Sequence, residues 1–469
     1  MHGFNYGDPQ VLRGRFNTPG RFGRMFPWLR SLKSFKPGPD ELGRVGGAMD
    51  GGNPPPTDTT QNNLRMKAGY TFLGQFVDHD LTLDTTSILE RQVDVNGTTN
   101  FRTPAFELDS VYGLGPAVQP YLYDQQKPGN LLIASDGNDL QRNAQGRAII
   151  GDPRNDENIL VSQLQLLFIK FHNKVYDTEF ADMPHGKTRF EAAQTFVRWH
   201  YQWLVMNEFL PRLVGSKRTA ATIANPPFEF ETDHAYMPVE FSAAAYRFGH
   251  SQVRPGYALG PNRGAALFPG DPNAPFGNFD LRGFRPVPPE LLVDWSFFFG
   301  GAPTAQAGKK VDTLISTVLL QLPTGIVPKD EPNRHRSLAT RNLQRGIDMC
   351  LPSGQTLACH LGIPPLTEAE IWTTKGASIG SGPAPLWFYC LREGEVRTGG
   401  ARLDGVGAAI VARTFVALML KDKASYLVQD PGFVPELGSG GRFSMTDMVN
   451  YVLGTSLPPE DLATLPGDD

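Results

Sequence analysis

Gly69-Tyr-Thr-Phe-Leu-Gly-Gln-Phe-Val-Asp-His-Asp-Leu-Thr-Leu-Asp84 sets Gln75, Asp78, His79 and Asp80 into a run that is otherwise apolar at helical spacing. On a helix, Gln75 and His79 lie four apart on one face, Asp78 borders that face, and Asp80 turns away toward a neighbour. Polar groups converging beside Phe72, Phe76 and Val77 are costly to bury without partners, so a ligand, cofactor or ion is the economical explanation. A solvated helix edge with an ordinary core histidine is the alternative that this stretch alone leaves open. The periodicity predicts a helix from about 63 to 83.

The 469 residues suffice for one large domain with a sizeable core, and the 50 Gly and 40 Pro require long irregular connections. A net charge of -4 without a charged tail argues against a nucleic-acid partner. Three cysteines, Cys350, Cys359 and Cys390, exclude a disulfide framework, and Cys359-His360 lacks the C-x-x-C-H spacing that attaches haem through thioethers. Met1 to Tyr6 lack the basic-then-apolar order of a secretion signal, and Arg413 interrupts the apolar run from Ala408 to Leu420, which is too short to cross a bilayer. The expectation is a soluble protein, cytoplasmic or exported by a route without such a signal.

Residues 1–60 are Gly/Pro-rich and aperiodic and read as an arm, leaving 61–469 as the single domain. Between Arg102 and Gly113, Thr103, Glu107 and Asp109 offer oxygens at alternate positions, an arrangement that suits a hard cation, with a capped turn as the alternative. Pro153 suits a first helical turn, and Ile159, Leu160, Leu164, Leu167, Phe168 and Phe171 recur as a core stripe. Arg154 and Glu157, three apart, can point the same way, either paired or facing a pocket. A further helix is expected over 188–213, with His172 and His200 as hydrogen-bonded core histidines. His250 follows Gly249, where the backbone offers little steric cover. Helices are expected near Asp294 and over 311–322, 337–349 and 405–421; sustained strand alternation is absent, so the class is mainly α.

Several of these segments together resemble the animal-type haem peroxidases of the peroxidase-cyclooxygenase superfamily, in their compact bacterial form. Gly74-Gln75-Phe76-Val77-Asp78-His79-Asp80 resembles the distal helix, Arg154-x-x-Glu157 the distal arginine motif, and Tyr246-Arg247-Phe248-Gly249-His250 the proximal helix. Asn342-Leu343-Gln344-Arg345 and the Thr103–Gly113 loop resemble further family segments, and all occur in the family's order. The resemblance implies haem b with His250 on the iron, and Asn342 accepting a hydrogen bond from its imidazole. Arg247 and Arg345 are then the partners of the propionates, and Asp78 and Glu157 the carboxylates that form esters with haem methyl groups. His79 is implied as the acid-base group, Gln75 as the group that orients the ligand, and Arg154 as the stabiliser of charge developing as the O–O bond of hydrogen peroxide breaks. Asp80, Thr103, Glu107, Asp109 and the Ala105 carbonyl are implied calcium ligands. Small phenols or halides are the implied reducing substrates.

Two departures stand out: Asn158, not methionine, follows Glu157, which excludes a sulfonium link, and Ala409 and Arg413 depart from the charged pattern expected on the late helix. A fatty-acid dioxygenase of the same superfamily is the main alternative. Such enzymes carry their tyrosine three residues before the proximal histidine; here that position is Arg247. Tyr246 lies one step earlier, which on an α-helix turns it about 100° from the same channel. A metallohydrolase using Asp78, His79 and Asp80, or a binding module without turnover, are further alternatives.

Overall fold

The computed structural model describes residues 22–55, 58–82, 100, 102–227, 235–269, 279–324, 326–327, 336–374, 376–460 and 465. Its frame is helical: α1 (Pro39–Gly43), α2 (Ala68–Leu81), α3 (Ile159–Thr178), α4 (Lys187–Leu204), α5 (Leu210–Val214), α6 (Ser216–Ala224), α7 (Leu338–Asp348), α8 (Leu386–Thr398) and α9 (Gly405–Lys421). The described strands pair only two by two, as in Asn62–Lys67 with Ala307–Lys309 and the hairpin of Gly256–Gly260 with Arg263–Ala266. The mainly α expectation holds.

The predicted helix over 63–83 divides. Asn62–Lys67 is a strand and the helix begins at Ala68, whose N–H donates to Gln306 O at 2.9 Å, with Gly69 N–H donating to Phe298 O at 3.2 Å. Loop carbonyls thus satisfy two of the N–H groups that a helix start leaves orphaned. A Cβ on Gly69 would lie 2.5 Å from Phe299 Cε1, so glycine is required for that approach. The helix ends at Leu81; the predicted end at 83 lies outside the described residues.

Helix α2 packs on α3, where Phe76 stacks on Phe168 at 4.5 Å between ring centroids. After α4 the chain winds as a π-helix over Val205–Phe209. Tyr70 of α2 donates to Glu208 at 2.6 Å, and Phe209 packs against Gly74, whose added Cβ would sit 3.2 Å from the ring. One wider turn therefore aims two adjacent residues at α2.

The expected helix over 311–322 shrinks to Thr317–Leu320, and the one near Asp294 is a 3₁₀ turn, Trp295–Phe297. The described part of the arm lies against the domain: Phe22, Met25, Phe26, Leu42 and Met49 are buried in the common core, and Arg24 donates to Cys350 O at 2.7 Å.

His172 and His200 are fully buried. His200 Nδ1–H donates to Phe196 O at 2.8 Å, while its Nε2 accepts from Leu437 N–H at 3.2 Å, so the neutral ring is used on both sides. Burial pulls its pKa from 6.5 down to about 4. With the folded value below the unfolded one, its contribution is complete above 6.5 and is lost as pH falls toward 4. In urea unfolding, the stability of wild type relative to His200→Phe should fall by about 1.4 kcal/mol per pH unit across that window.

Candidate active site

One face of α2 stays half-exposed at Gly74, Gln75 and Asp78, and opposite it runs the 3₁₀ segment Ala245–Gln252. The Tyr246 hydroxyl donates across to Gly74 O at 3.2 Å. Asp78 and Thr82 line one cavity together with Ser242, Arg247 and Arg345. These two walls bound the candidate site.

His79 lies on the buried flank of α2, and its orientation is deducible atom by atom. The Ser110 carbonyl can only accept, so Gln165 donates to it through Nε2, at 3.0 Å. Gln165 Oε1 then accepts from Asn155 Nδ2 at 2.8 Å, which leaves Asn155 Oδ1 facing His79 Nδ1 at 2.6 Å. The proton therefore sits on Nδ1, and Nε2 keeps its lone pair. Nε2 points toward Glu157, 3.9 Å away, whose Oε1 accepts from Gln75 Nε2 at 2.6 Å. Burial first, and the Arg154 charge second, draw the His79 pKa down to about 3. His79 is a neutral base throughout the physiological range.

Pro153–Asp156 winds as a 3₁₀ turn ahead of α3, capped by Asp152, and Arg154 and Glu157, three apart along it, take different partners and form no ion pair with each other. Arg154 Nη2 donates to Asp152 Oδ2 at 2.7 Å and to the carbonyls of His79, at 3.0 Å, and Thr82. Its guanidinium thus occupies carbonyls at the end of α2, where a cation complements the helix dipole. Although burial opposes it, Arg154 holds the Asp152 carboxyl well below the usual range. Glu157 is pushed up by burial, with Arg154 and the Gln75 amide pulling the other way.

On the opposite wall, 3₁₀ winding places residues three apart on one face, so Arg247 and His250 meet the same side chain. Arg247 Nη1 donates to Asn342 Oδ1 at 3.3 Å, and Asn342 Nδ2 lies 2.7 Å from His250 Nδ1. The expected polarity is reversed: a guanidinium has only donors, so it takes the amide oxygen and turns the amide nitrogen to the imidazole. His250 Nε2 has no partner among the described residues, and a Cβ on Gly249 would meet nothing within 4 Å. Burial and then Arg247 lower the His250 pKa to about 3.

Tyr246 takes another face, stacked on Phe241 at 4.6 Å and buried. It is off the Arg247/His250 face, and its hydroxyl reaches α2 instead of leaving the region.

Asp78, His79 and Asp80 go to separate surroundings, and no three of His, Cys, Asp and Glu among the described residues make a ready metal site. Asp80 is fully buried and accepts from Leu108 N–H at 3.2 Å, with Leu108 held left-handed at φ 58. Glu107 and Asp109 lie close enough to matter: burial first, and their charges next, drive the Asp80 carboxyl well above the usual range, while burial and Asp109 push Glu107 up to about 7. Among the described residues, Asp80 Oδ1, Asp109 Oδ1 and the Tyr201 hydroxyl are buried beside one another without a well-formed hydrogen bond. Arg102 compensates in part, pairing with Asp109 and with Asp152 at 2.7 Å each. Ala105 N–H donates to Thr103 O at 2.8 Å in the same loop, and the Thr103 side chain is exposed.

The sequence did not single out Asn155, Gln165, Asp152 or Arg102. Gln165 carried a weak signal, an amide between Leu164 and Leu166 on a core helix, shared with Gln163.

Comparison with known proteins places the chain in a family and a fold. The family model described as animal haem peroxidase matches residues 99–377, more than half of the chain. A peroxidase-like protein of Margaritifera margaritifera is 27% identical over 251 residues, 48% of this chain and 28% of its own. The chain therefore spans little more than a quarter of that relative. Peroxidase A from Dictyostelium discoideum superposes with a TM-score of 0.63 at 15% identity, covering 94% of both chains. A fatty acid alpha-dioxygenase of Arabidopsis thaliana gives 0.61 at 17% identity, covering 96% of this chain and 82% of that one. The chain belongs to the animal haem peroxidase family. The matched residues include Arg154, Glu157, His250 and Asn342 but begin after α2, so His79 stands on its geometry.

Replacing Asn155 by Leu removes the acceptor of a buried ring N–H. Urea unfolding should show a loss of about 1–3 kcal/mol, the usual penalty for an unsatisfied buried donor.

Proposed function

We propose that this chain is a haem-dependent peroxidase that reduces hydrogen peroxide and oxidises small phenols or halides. The observation that carries this is the amide relay that fixes the His79 proton on Nδ1 and leaves Nε2 without a hydrogen bond, together with a second histidine, His250, whose Nε2 is also unpartnered among the described residues. Haem b, when bound, supplies an iron centre that exchanges electrons with peroxide and the reducing substrate.

The chain's residues take roles around it. His250 would hold the haem iron, and the open space at Gly249 leaves room beside it. Arg247 and Arg345, lining one cavity, take the propionates. Once an anion engages Arg247, Asn342 is free to rotate its amide and accept from His250 Nδ1–H, the tautomer a metal ligand needs. His79 Nε2 takes a proton from hydrogen peroxide and returns it to the departing oxygen, while Nδ1–H stays anchored on Asn155. Gln75 orients peroxide, and Arg154 adds positive potential from behind the helix end. Asp78 and Glu157 are the proposed ester attachment points. Among the described residues no helix is long and apolar enough to cross a membrane.

His250→Ala should abolish the haem spectrum and turnover, whereas His79→Ala should keep haem and slow peroxide reaction by roughly 10² to 10⁴ in stopped flow. An unchanged spectrum in the first, or wild-type rates in the second, removes that residue from its role. After peroxide treatment, haem should stay with the chain through acid-acetone extraction; complete extraction excludes the esters.

Asp80, Thr103, Glu107, Asp109 and the Ala105 carbonyl are proposed to hold calcium. Buried carboxylates with orphaned oxygens and mutually raised pKa values fit a divalent cation, which returns the missing positive charge. Elemental analysis should find about one calcium per chain, and chelation should lower Tm. Active protein free of calcium contradicts the site.

The Tyr246 hydroxyl at Gly74 favours a second reading, a fatty-acid dioxygenase. The peroxidase reading expects no oxygen uptake with an unsaturated fatty acid, and phenol turnover unaffected by Tyr246→Phe. Robust uptake lost in that variant reverses the choice.

A further inference from the structure

Arg142 belongs to none of the marked segments of the sequence, yet all five of its N–H groups are used, four of them on two carboxylates. Nε–H donates to Asp139 Oδ2 at 2.8 Å and Nη2 to Asp139 Oδ1 at 3.1 Å, while Nη1 and Nη2 donate to Asp156 Oδ2 and Oδ1 at 2.8 Å each. The remaining Nη1–H donates to Gly146 O at 2.9 Å. The Arg142 side chain is 8% exposed and Asp156 is buried, so salt screens this fork weakly. Asp156 sits between Asn155 and Glu157, at the end of the 3₁₀ turn that also carries Arg154.

The backbone of the same turn is held by a second segment. Phe284 N–H donates to Asp156 O at 2.6 Å and Gly283 N–H to Glu157 O at 3.0 Å. A Cβ on Gly283 would lie 1.7 Å from Asp156 O, so this approach requires glycine. The two flanking segments also hold each other: Val287 N–H donates to Asp139 Oδ2 at 3.0 Å, and the Arg147 guanidinium lies 4.6 Å from the centroid of the Phe284 ring. Residues 139–148 and 283–287 therefore grip the turn together, the first by its side chain and the second by its carbonyls.

From these contacts we infer that Arg142 is a positioning residue for His79: through Asp156 it fixes the turn from which Asn155 reaches His79 Nδ1, and so holds the relay that keeps the proton off Nε2. Gln165 decides which atom of the Asn155 amide faces the ring, and Arg142 decides where that amide stands. The contact at 2.6 Å tolerates little displacement, because a hydrogen bond is lost within about an ångström of its optimum. Lysine is no substitute at 142, since a point charge lacks the planar fork that engages two carboxylates. The inference rests on the reading of His79 as the base, and its test reads the ring directly, without peroxide turnover.

The test is ¹⁵N NMR of the His79 ring at one neutral pH, in a diamagnetic form of the full chain, comparing wild type with Arg142→Gln, Arg142→Lys and Asp156→Asn. Each variant should show an Nε2-protonated ring beside the Nδ1-protonated one, and the Nδ1 proton should exchange with water about tenfold faster or more, as the loss of a charge-assisted contact implies. In the haem-loaded chain, reaction with peroxide should slow by about 10- to 100-fold. Because Arg142→Gln leaves two carboxylates without their fork, Asp156→Asn, which keeps the side chain's shape, is the second variant that spares the fold. Arg392→Gln removes a guanidinium that donates to Glu370 O and Thr373 O, and as a control for lost stability it should leave the His79 ring as in wild type. Wild-type His79 signals in the folded Arg142 and Asp156 variants, or an equal change in Arg392→Gln, overturn the assignment. A wild-type ring already protonated on Nε2 contradicts the His79 reading itself, and the assignment with it.

Discussion

The hydrogen bond between His79 Nδ1 and Asn155 is the interaction on which the candidate site depends. A buried imidazole without a fixed partner has two neutral tautomers, and only one of them leaves a base facing the cleft. The tautomer is chosen remotely, by a carbonyl at Ser110 that cannot donate. The choice passes through two fully buried amides, Gln165 and Asn155. Such a chain is costly if any member is unsatisfied, which is what makes it specifying.

The second constraint is charge. Asp80 is the residue after His79, and its carboxyl is buried beside Glu107 and Asp109, with Arg102, shared with Asp152, the cation paired with the group among the described residues. Arg102 ties Asp109 to Asp152, Asp152 holds Arg154, and Arg154 closes on the carbonyl of His79. An ion in the acidic loop would therefore act on the catalytic geometry through a continuous series of charge-assisted contacts, without touching substrate. The left-handed Leu108 belongs to the same design: its strain is sustained because its N–H is the donor that meets Asp80.

Much of the architecture was legible in the sequence. The helical stripes of α3 and α9 follow directly from apolar spacing, and the lack of strand alternation matches a molecule whose described sheets are two-stranded. What spacing could not show was local winding. Asn62–Lys67 keeps a helix-compatible composition yet is pulled into a strand by Ala307–Lys309, a partner some 240 residues away in sequence. The 3₁₀ winding at Ala245–Gln252 aligns Arg247 with His250, and Pro153–Asp156 is a 3₁₀ turn where a first α-helical turn was expected, outcomes that α-helical geometry misstates. Asn155 and Gln165 were hidden for a different reason, since a supporting amide has no motif of its own and becomes meaningful only when its partners are brought together.

The most direct measurement is ¹⁵N NMR of the histidine rings in a diamagnetic form of the protein, with His79 assigned by its absence in His79→Gln. The account predicts a ring protonated at Nδ1 with an unprotonated Nε2, unchanged from pH 8 to pH 5 because its pKa lies near 3. A His79 ring carrying its proton on Nε2, or one that titrates near 6.5, would contradict it.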